Sequence, residues 1–487
     1  MNKKILKIVS IASEVAPFSK TGGLADVARS LPKAISRLDH EVIVVTPLYN
    51  KVISKAKHKL KEVFHEIKIN VGGESLLVNF WQGYLMDDLP VYFIEQKDFF
   101  GVDKKLYGAK NDNARFYVFD VAALKLLELL EFKPDIIHCH DWQTGLIPQL
   151  LNTQFKKSST LRGVRTVFTI HNLVFQYGHN WWQVPMDKKD FGTKKLPGLS
   201  DPDIEHINFA KRAILQADII NTVSEQYCQE IMTRHFGQDL HRILRNRADR
   251  LFGIINGIDH FEYNPSNDSK LPVRYDCRSV IEGKAANKKY LQEKLGLQVD
   301  NDVPLICATS RITFQKGFSL IMETMEWLFK SDAQIVILGD GDKQYLDKLK
   351  FWRKKHQKRM AIRSYRKHPE LESLCYAASD CLLLPSHHEP CGINQLIAMR
   401  YGCVPIVRNV GGLNDTVSNY NPRTNRGTGF MFNTFTVMGL YTAMIRALEN
   451  YRHEACWQGL VRRDMKIASS WKIPAQKYLN LYRRALK

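Results

Sequence analysis

Short apolar runs that end on polar residues recur along this chain, and they constrain its fold more than any other feature. Residues 5–12, 41–46, 135–140, 166–171 and 218–224 each read as a strand buried on both faces. Helical spacing lies between them, as in Leu24, Val27, Leu31, Ile35 and Leu38, and again over 113–130. Residues 60–95 alternate in a more β-like way. Residues 264–304 change character, with Asn264, Pro265 and Pro272 in loop, then a helix over 285–295. The rhythm then restarts, with strands at 305–309, 335–338, 381–384 and 404–407 and helices including 318–330 and 394–401. Strand and helix alternating on both sides of a linker predict an α/β protein of two doubly wound, Rossmann-like domains facing across a cleft. The expected limits are 1–263, 264–464 and a terminal segment 465–487.

The 487 residues exceed what one core usually organises, which agrees with two domains. The apolar runs are broken by charge too often for a membrane span. At the N-terminus Lys3, Lys4 and Lys7 resemble a leader, but Lys7 interrupts the apolar stretch and Glu14 and Pro17 make no cleavage site. A cytoplasmic protein without membrane association is expected. Nine cysteines without a CxxC pair indicate neither a disulfide framework nor a zinc site, and the cluster Cys139, His140, Asp141 has no matching second cluster. The net charge of +20 fits nucleic acid, an anionic surface or acidic substrates. The cations are spread along the chain. The run 348–366, with Phe351, Trp352 and Tyr365 among its cations, is the best nucleic-acid candidate, but it reads more simply as a solvated helix and its loop.

Chemistry gathers where strands end, as it does in open α/β sheets. Ser19-Lys20-Thr21-Gly22-Gly23 joins the first strand to the first helix, so a cation, two glycines and a helix start make an anion seat. Taken alone, the stretch is an ordinary βα turn with a surface lysine. Arg311 and Lys316 leave the strand 305–309 on a loop that starts a helix near Gly317, suited to gripping a diphosphate, though surface loops look similar. Gly339, Asp340 and Gly341 suit a nucleotide wall. Glu389 sits among Ser386, His387, His388, Pro390, Cys391 and Gly392, where it can orient a sugar hydroxyl or simply complement a helix dipole. Gly411 and Gly412 precede another helix.

These segments, in this order, resemble the bacterial glycogen synthases and plant starch synthases. The resemblance rests on KTGGLADV at 20–27, HCHDWQTG at 138–145, TIHNLVFQ at 169–176, ADIINTVS at 217–224 and GIINGID at 253–259. It continues through SRITFQKG at 310–317, PSHHEPCG at 385–392 and MRYGCVPIVRNVGGLNDTV at 399–417. The resemblance implies the GT-B architecture and retaining transfer of glucose from ADP-glucose to the non-reducing end of an α-1,4-glucan, with no cofactor and no metal. It also implies site residues. Lys20 with Gly22, Gly23 and Asp26 would meet the donor's phosphates and glucose, and Arg311 and Lys316 its pyrophosphate. Glu389, Cys391 and Gly392 would face the glucose, His171 the anomeric centre, and Asp141 the sugar or acceptor. Asn256, counted with the donor- and sugar-binding residues, would lie with Gly257 and Asp259 near the hinge, and Met465 to Tyr482 would return to the first domain.

Retention without the paired carboxylates of a glycosidase suggests a front-face reaction, in which the departing diphosphate takes the acceptor's proton. The chain departs from the family pattern at His387-His388, where Arg-Phe is usual, at Val410, where Thr is usual, and at Ala468-Ser469, where an acidic residue often precedes Ser-Trp. Two other readings compete: a non-catalytic glucan- or nucleotide-binding protein of the same fold, and a transferase using UDP-glucose or another acceptor. The predicted partners are a sugar nucleotide and glucan, not nucleic acid.

Overall fold

The computed structural model describes residues 4–86, 88–176, 184–467 and 470–487. Lys3 and the Ala468-Ser469 departure lie outside the described residues. The chain forms two compact units, one of Met1–Val223, Cys228–Ile254 and Trp471–Lys487, the other of Ser224–Tyr227 and Ile255–Ser470.

The first unit is built on a 9-stranded sheet in the order β3-β4-β5-β2-β1-β6-β7-β8-β9. These are β1 (Lys7–Ile11), β2 (Glu41–Pro47), β3 (Lys61–Val71), β4 (Glu74–Leu85), β5 (Leu89–Glu95), β6 (Ile136–His140), β7 (Arg165–Ile170), β8 (Ile219–Thr222) and β9 (Leu251–Gly253). From β5 to β9 every pairing is parallel, while β3 and β4 add an antiparallel edge. The inner strands are almost wholly buried because crossover helices such as Gly23–Ser36 and Asp112–Leu129 cover the sheet. Leu38, assigned to the first helix from its spacing, falls beyond the helix end.

The second unit has a 6-stranded parallel sheet, β12-β11-β10-β13-β14-β15. Its strands are β10 (Leu305–Thr309), β11 (Gln334–Leu338), β12 (Met360–Arg363), β13 (Cys381–Leu384), β14 (Val404–Arg408) and β15 (Phe430–Phe432). That is the 3-2-1-4-5-6 order of a dinucleotide-binding fold, with its crossover reversal between β10 and β13. The first unit reverses in the same way between β1 and β6. At such reversals two loops leave the strand ends in opposite directions and leave a crevice.

The unit limits differ from those expected at 263/264 and 464/465. β9 completes the first sheet at Gly253, and the chain beyond it bonds within the second unit. There Asn264 accepts from Arg400 at 3.1 Å, Asp268 from Tyr401 at 2.7 Å, and Tyr275 donates to the Tyr401 carbonyl at 2.8 Å. Met465 belongs to the helix Glu454–Ile467 of the second unit. Only the helix Lys472–Ala485 joins the first, where the Tyr478 and Tyr482 hydroxyls meet Asn221 and His138 at 2.9 and 2.8 Å.

The basic run 348–366 is not one solvated helix and loop. It holds the end of the helix Lys343–Lys355 and then β12, a sheet edge strand. Part of its character is structural. Arg359 donates to the Phe329, Ser331 and Ala333 carbonyls at a helix end, and Trp352 lies against Phe329 and His356. Among the described residues no helix is long and apolar enough to cross a membrane.

Candidate functional site

In the first unit the loop after β1 carries the predicted anion seat. Gly22 caps the helix Gly23–Ser36 in extended backbone, and Lys20 reaches Asp26 in the first helical turn at 2.7 Å. Among the described residues a Cβ on Gly22 would meet only Glu14 Oε1, at 3.9 Å, so their packing does not demand glycine there.

Glu14, which lies outside the sequence motifs, ties this loop down. Its Oε2 accepts the Thr21 N–H at 2.6 Å and the Thr21 hydroxyl at 2.8 Å, with the Gly22 N–H also directed at the carboxylate. The side chain is 2% exposed, and burial raises its pKa to about 7 despite those donors. The only signal in the sequence is a carboxylate among otherwise small and apolar residues between Ile11 and Pro17.

The ends of β6 and β7 bring Asp141 and His171 together. Asp141 takes a positive φ of 60°, uncommon for a non-glycine, which turns its carboxylate back across the strand ends. Its N–H donates to the Thr169 carbonyl at 2.9 Å, and its Oδ1 accepts from the His171 N–H at 2.8 Å and Gln176 Nε2 at 2.5 Å. Burial raises the Asp141 carboxyl to about 7, and Glu14 adds to the rise. His171 is lowered to about 3 by burial, so its ring is neutral. Its Nε2 lies 3.0 Å from His140 Nδ1. Cys139 alternates to the opposite sheet face from His138 and His140, so the Cys-His-Asp cluster does not converge.

In the second unit the loops after β10 and β13 meet. Lys316 Nζ lies 2.6 Å from Glu389 Oε2, which also accepts the Ser386 hydroxyl at 2.9 Å. Both partners are largely buried, at 16% and 6% exposure, so the pair is held away from bulk water. Arg311 donates to Gln315 at 3.2 Å, and the Gln315 carbonyl accepts the His387 N–H at 2.8 Å. Gln315 and Ser386 thus serve the site as scaffold, although neither carries a charge that a motif search would weigh.

Glycine is required where these loops touch. Gly317 has φ 77°, and a Cβ there would lie 2.0 Å from the Pro385 carbonyl oxygen. A Cβ on Gly412, which opens the helix Gly411–Thr416 with Gly411, would lie 1.9 Å from the Cys391 carbonyl oxygen. The Gly412 N–H donates to the Glu389 carbonyl at 3.0 Å. Gly339 and Gly341 would each clash with the Ser310–Ile312 backbone at 2.1 Å, so packing alone accounts for the glycines of that wall. Asn256, 3% exposed, lies against the Cys391 thiol, which burial raises to about 12. His388, in the place where the family pattern has Phe, is lowered to about 4 by burial and is a neutral ring.

Residues 7–246 match the starch synthase catalytic domain model, and residues 277–458 match glycosyl transferases group 1. The chain is 42% identical to a glycogen synthase of Syntrophotalea carbinolica over 99% of both chains. It is 38% identical to one of Geotalea daltonii, again over 99% of each. Among solved structures it resembles the catalytic domain of starch synthase IV from Arabidopsis thaliana bound to ADP and acarbose. The TM-score is 0.86 at 32% identity, covering 99% of this chain and 100% of that one. A sucrose-phosphate synthase from Thermosynechococcus elongatus, at 16% identity and a TM-score of 0.61, shares the fold. With the starch synthase model covering the first half of the chain and the likeness to glycogen synthases running end to end, the chain belongs to the glycogen and starch synthase family of GT-B glycosyltransferases.

Proposed function

We propose that this glycogen synthase uses ADP-glucose and extends the non-reducing 4-hydroxyl of an α-1,4-glucan with retention at the anomeric carbon. The observation that carries this reading is the buried Lys316–Glu389 pair at the β10/β13 reversal, a cation and a carboxylate side by side where an α/β sheet takes its ligand. Binding of ADP and acarbose by the Arabidopsis relative supports both donor and acceptor class. In this scheme Arg311 and Lys316 hold the pyrophosphate, and Glu389 with the Cys391-Gly392 backbone faces the glucose. Asn256 steadies Cys391. Lys20, held by Asp26, and the Gly22-Gly23 backbone meet phosphate and sugar. His171 lies by the anomeric centre and Asp141 positions the sugar.

The cations draw electron pairs onto the departing diphosphate, whose oxygen takes the acceptor's proton as the new glycosidic bond forms on the same face. The first unit then serves acceptor and catalysis, the second the sugar nucleotide. All nine cysteines are free thiols, which suits a cytoplasmic enzyme.

Labelled ADP-glucose and UDP-glucose offered separately with glycogen test the reading. ADP-glucose is the better donor. Preference for UDP-glucose refutes the donor assignment, and incorporation from neither refutes the activity. Unchanged transfer in Lys20→Ala and Glu389→Ala refutes the site.

A further inference from the structure

His171 is connected to the sheet interior by a line of hydrogen bonds whose direction decides what its outer nitrogen offers. Ser10 Oγ lies 3.2 Å from His140 Nε2, and His140 Nδ1 lies 3.0 Å from His171 Nε2. The line follows from register. β1 and β6 are parallel with Ser10 opposite His138, so Ser10, His138 and His140 share one face of the sheet. His171 Nδ1, at the outer end, has no hydrogen-bond partner among the described residues.

A neutral imidazole has one N–H and one lone pair in its ring plane. Burial holds both His140 and His171 well below their ordinary range, so neither carries two ring protons. Only two arrangements of the line are then self-consistent. In the first, the Ser10 hydroxyl donates to His140 Nε2, His140 Nδ1–H donates to His171 Nε2, and His171 carries its proton on Nδ1. In the second every bond is reversed, and the Ser10 O–H must find another acceptor. Ser10 is 3% exposed and has no other hydrogen-bond partner among the described residues. The second arrangement therefore strands a buried donor, while the first leaves only an oxygen lone pair unused. A stranded N–H or O–H is the rarer and costlier defect.

His138 does not compete for either position. Its Nε2 is engaged by Thr169 Oγ1 at 2.6 Å and its Nδ1 by the Tyr482 hydroxyl at 2.8 Å, and its ring lies 4.0 Å from that of His140. It packs beside the line and holds the His140 plane.

We propose that Ser10 and His140 are positioning residues that lock His171 as its Nδ1–H tautomer, so that the outer nitrogen is a hydrogen-bond donor to the sugar and not a base. This rests on the glucan synthase reading, and there it excludes His171 as the base that takes the acceptor's proton. His171 has its one lone pair occupied by His140.

Nitrogen-15 NMR of the full-length protein labelled at histidine tests the assignment, with His171→Asn and His140→Asn identifying the signals. The expected spectrum has a protonated Nδ1 and an unprotonated Nε2 for both residues. Ser10→Ala makes His171 a mixture of tautomers and lowers kcat several-fold with donor KM unchanged, and Ser10→Thr restores the single tautomer. A wild-type His171 protonated at Nε2 overturns the proposal, as does a Ser10→Ala spectrum identical to wild type. The wild-type spectrum decides even where a variant does not fold. Wild-type protein with the expected tautomer but no glucose transfer would refute the functional reading and leave the hydrogen-bond assignment standing.

Discussion

Glu14→Gln removes an ionisation that the fold opposes. The carboxylate accepts from Thr21 and Gly22 but is 2% exposed, and the loss of water outweighs those donors, taking its pKa from 4.5 to about 7. A rise of that size costs the ionised form about 3 kcal/mol in the folded state. The sign follows from proton binding. The folded chain holds this proton more tightly than the unfolded chain, so stability from this group is complete below about pH 4.5 and is lost as the pH rises through about 7. Glutamine keeps an acceptor oxygen for the Thr21 N–H and has nothing to ionise. The stability of Glu14→Gln relative to wild type therefore grows by about 2–3 kcal/mol between about pH 5 and about pH 8.5. Urea unfolding of both proteins across that range, followed by tryptophan fluorescence, measures it. A difference independent of pH, or one that shrinks as pH rises, refutes the argument. Asp141 supplies a check, because Glu14 contributes to its raised pKa. Its carboxyl should titrate lower in the variant.

Three further outcomes follow from the contacts. Gly412→Ala places a Cβ 1.9 Å from the Cys391 carbonyl oxygen, which backbone must move to relieve, so melting temperature and kcat/KM both fall. Asp190→Asn strands Arg212, fully buried and bonded to both Asp190 oxygens at 2.8 and 2.9 Å, and should cost about 3–5 kcal/mol in denaturant unfolding. Lys316→Ala removes charge from the departing diphosphate and should lower kcat by about 10²–10³-fold, with glycogen KM little changed. A drop of less than threefold would place Lys316 outside the reaction.

The strands were legible because burial on both faces leaves a local signature, an apolar run bounded by turn residues. The strands 305–309 and 381–384 and the helix 318–330 coincide with observed elements. β12 was hidden because three apolar residues inside a basic run read as part of a solvated helix and its loop, and its strand character comes from pairing with β11 at the sheet edge. β15 is shorter still and is defined by its pairing with β14. Lys20, Asp141, His171, Arg311, Lys316 and Glu389 were legible as charged or polar residues just beyond strands. Glu14, Ser10 and His140 were not, because their importance lies in what they bond.

The sequence by itself determined the alternation of strand and helix, the residue types at each strand end and the family likeness, since all of these are carried by neighbours along the chain. Tertiary structure alone decided the order of strands, and with it which ends meet. Lys316 and Glu389, 73 positions apart, pair at the β10/β13 reversal. Tyr482 reaches His138 across 344 positions. The raised pKa values of Glu14 and Asp141 also belong to the fold, because only burial removes the water that would otherwise keep those carboxylates ionised.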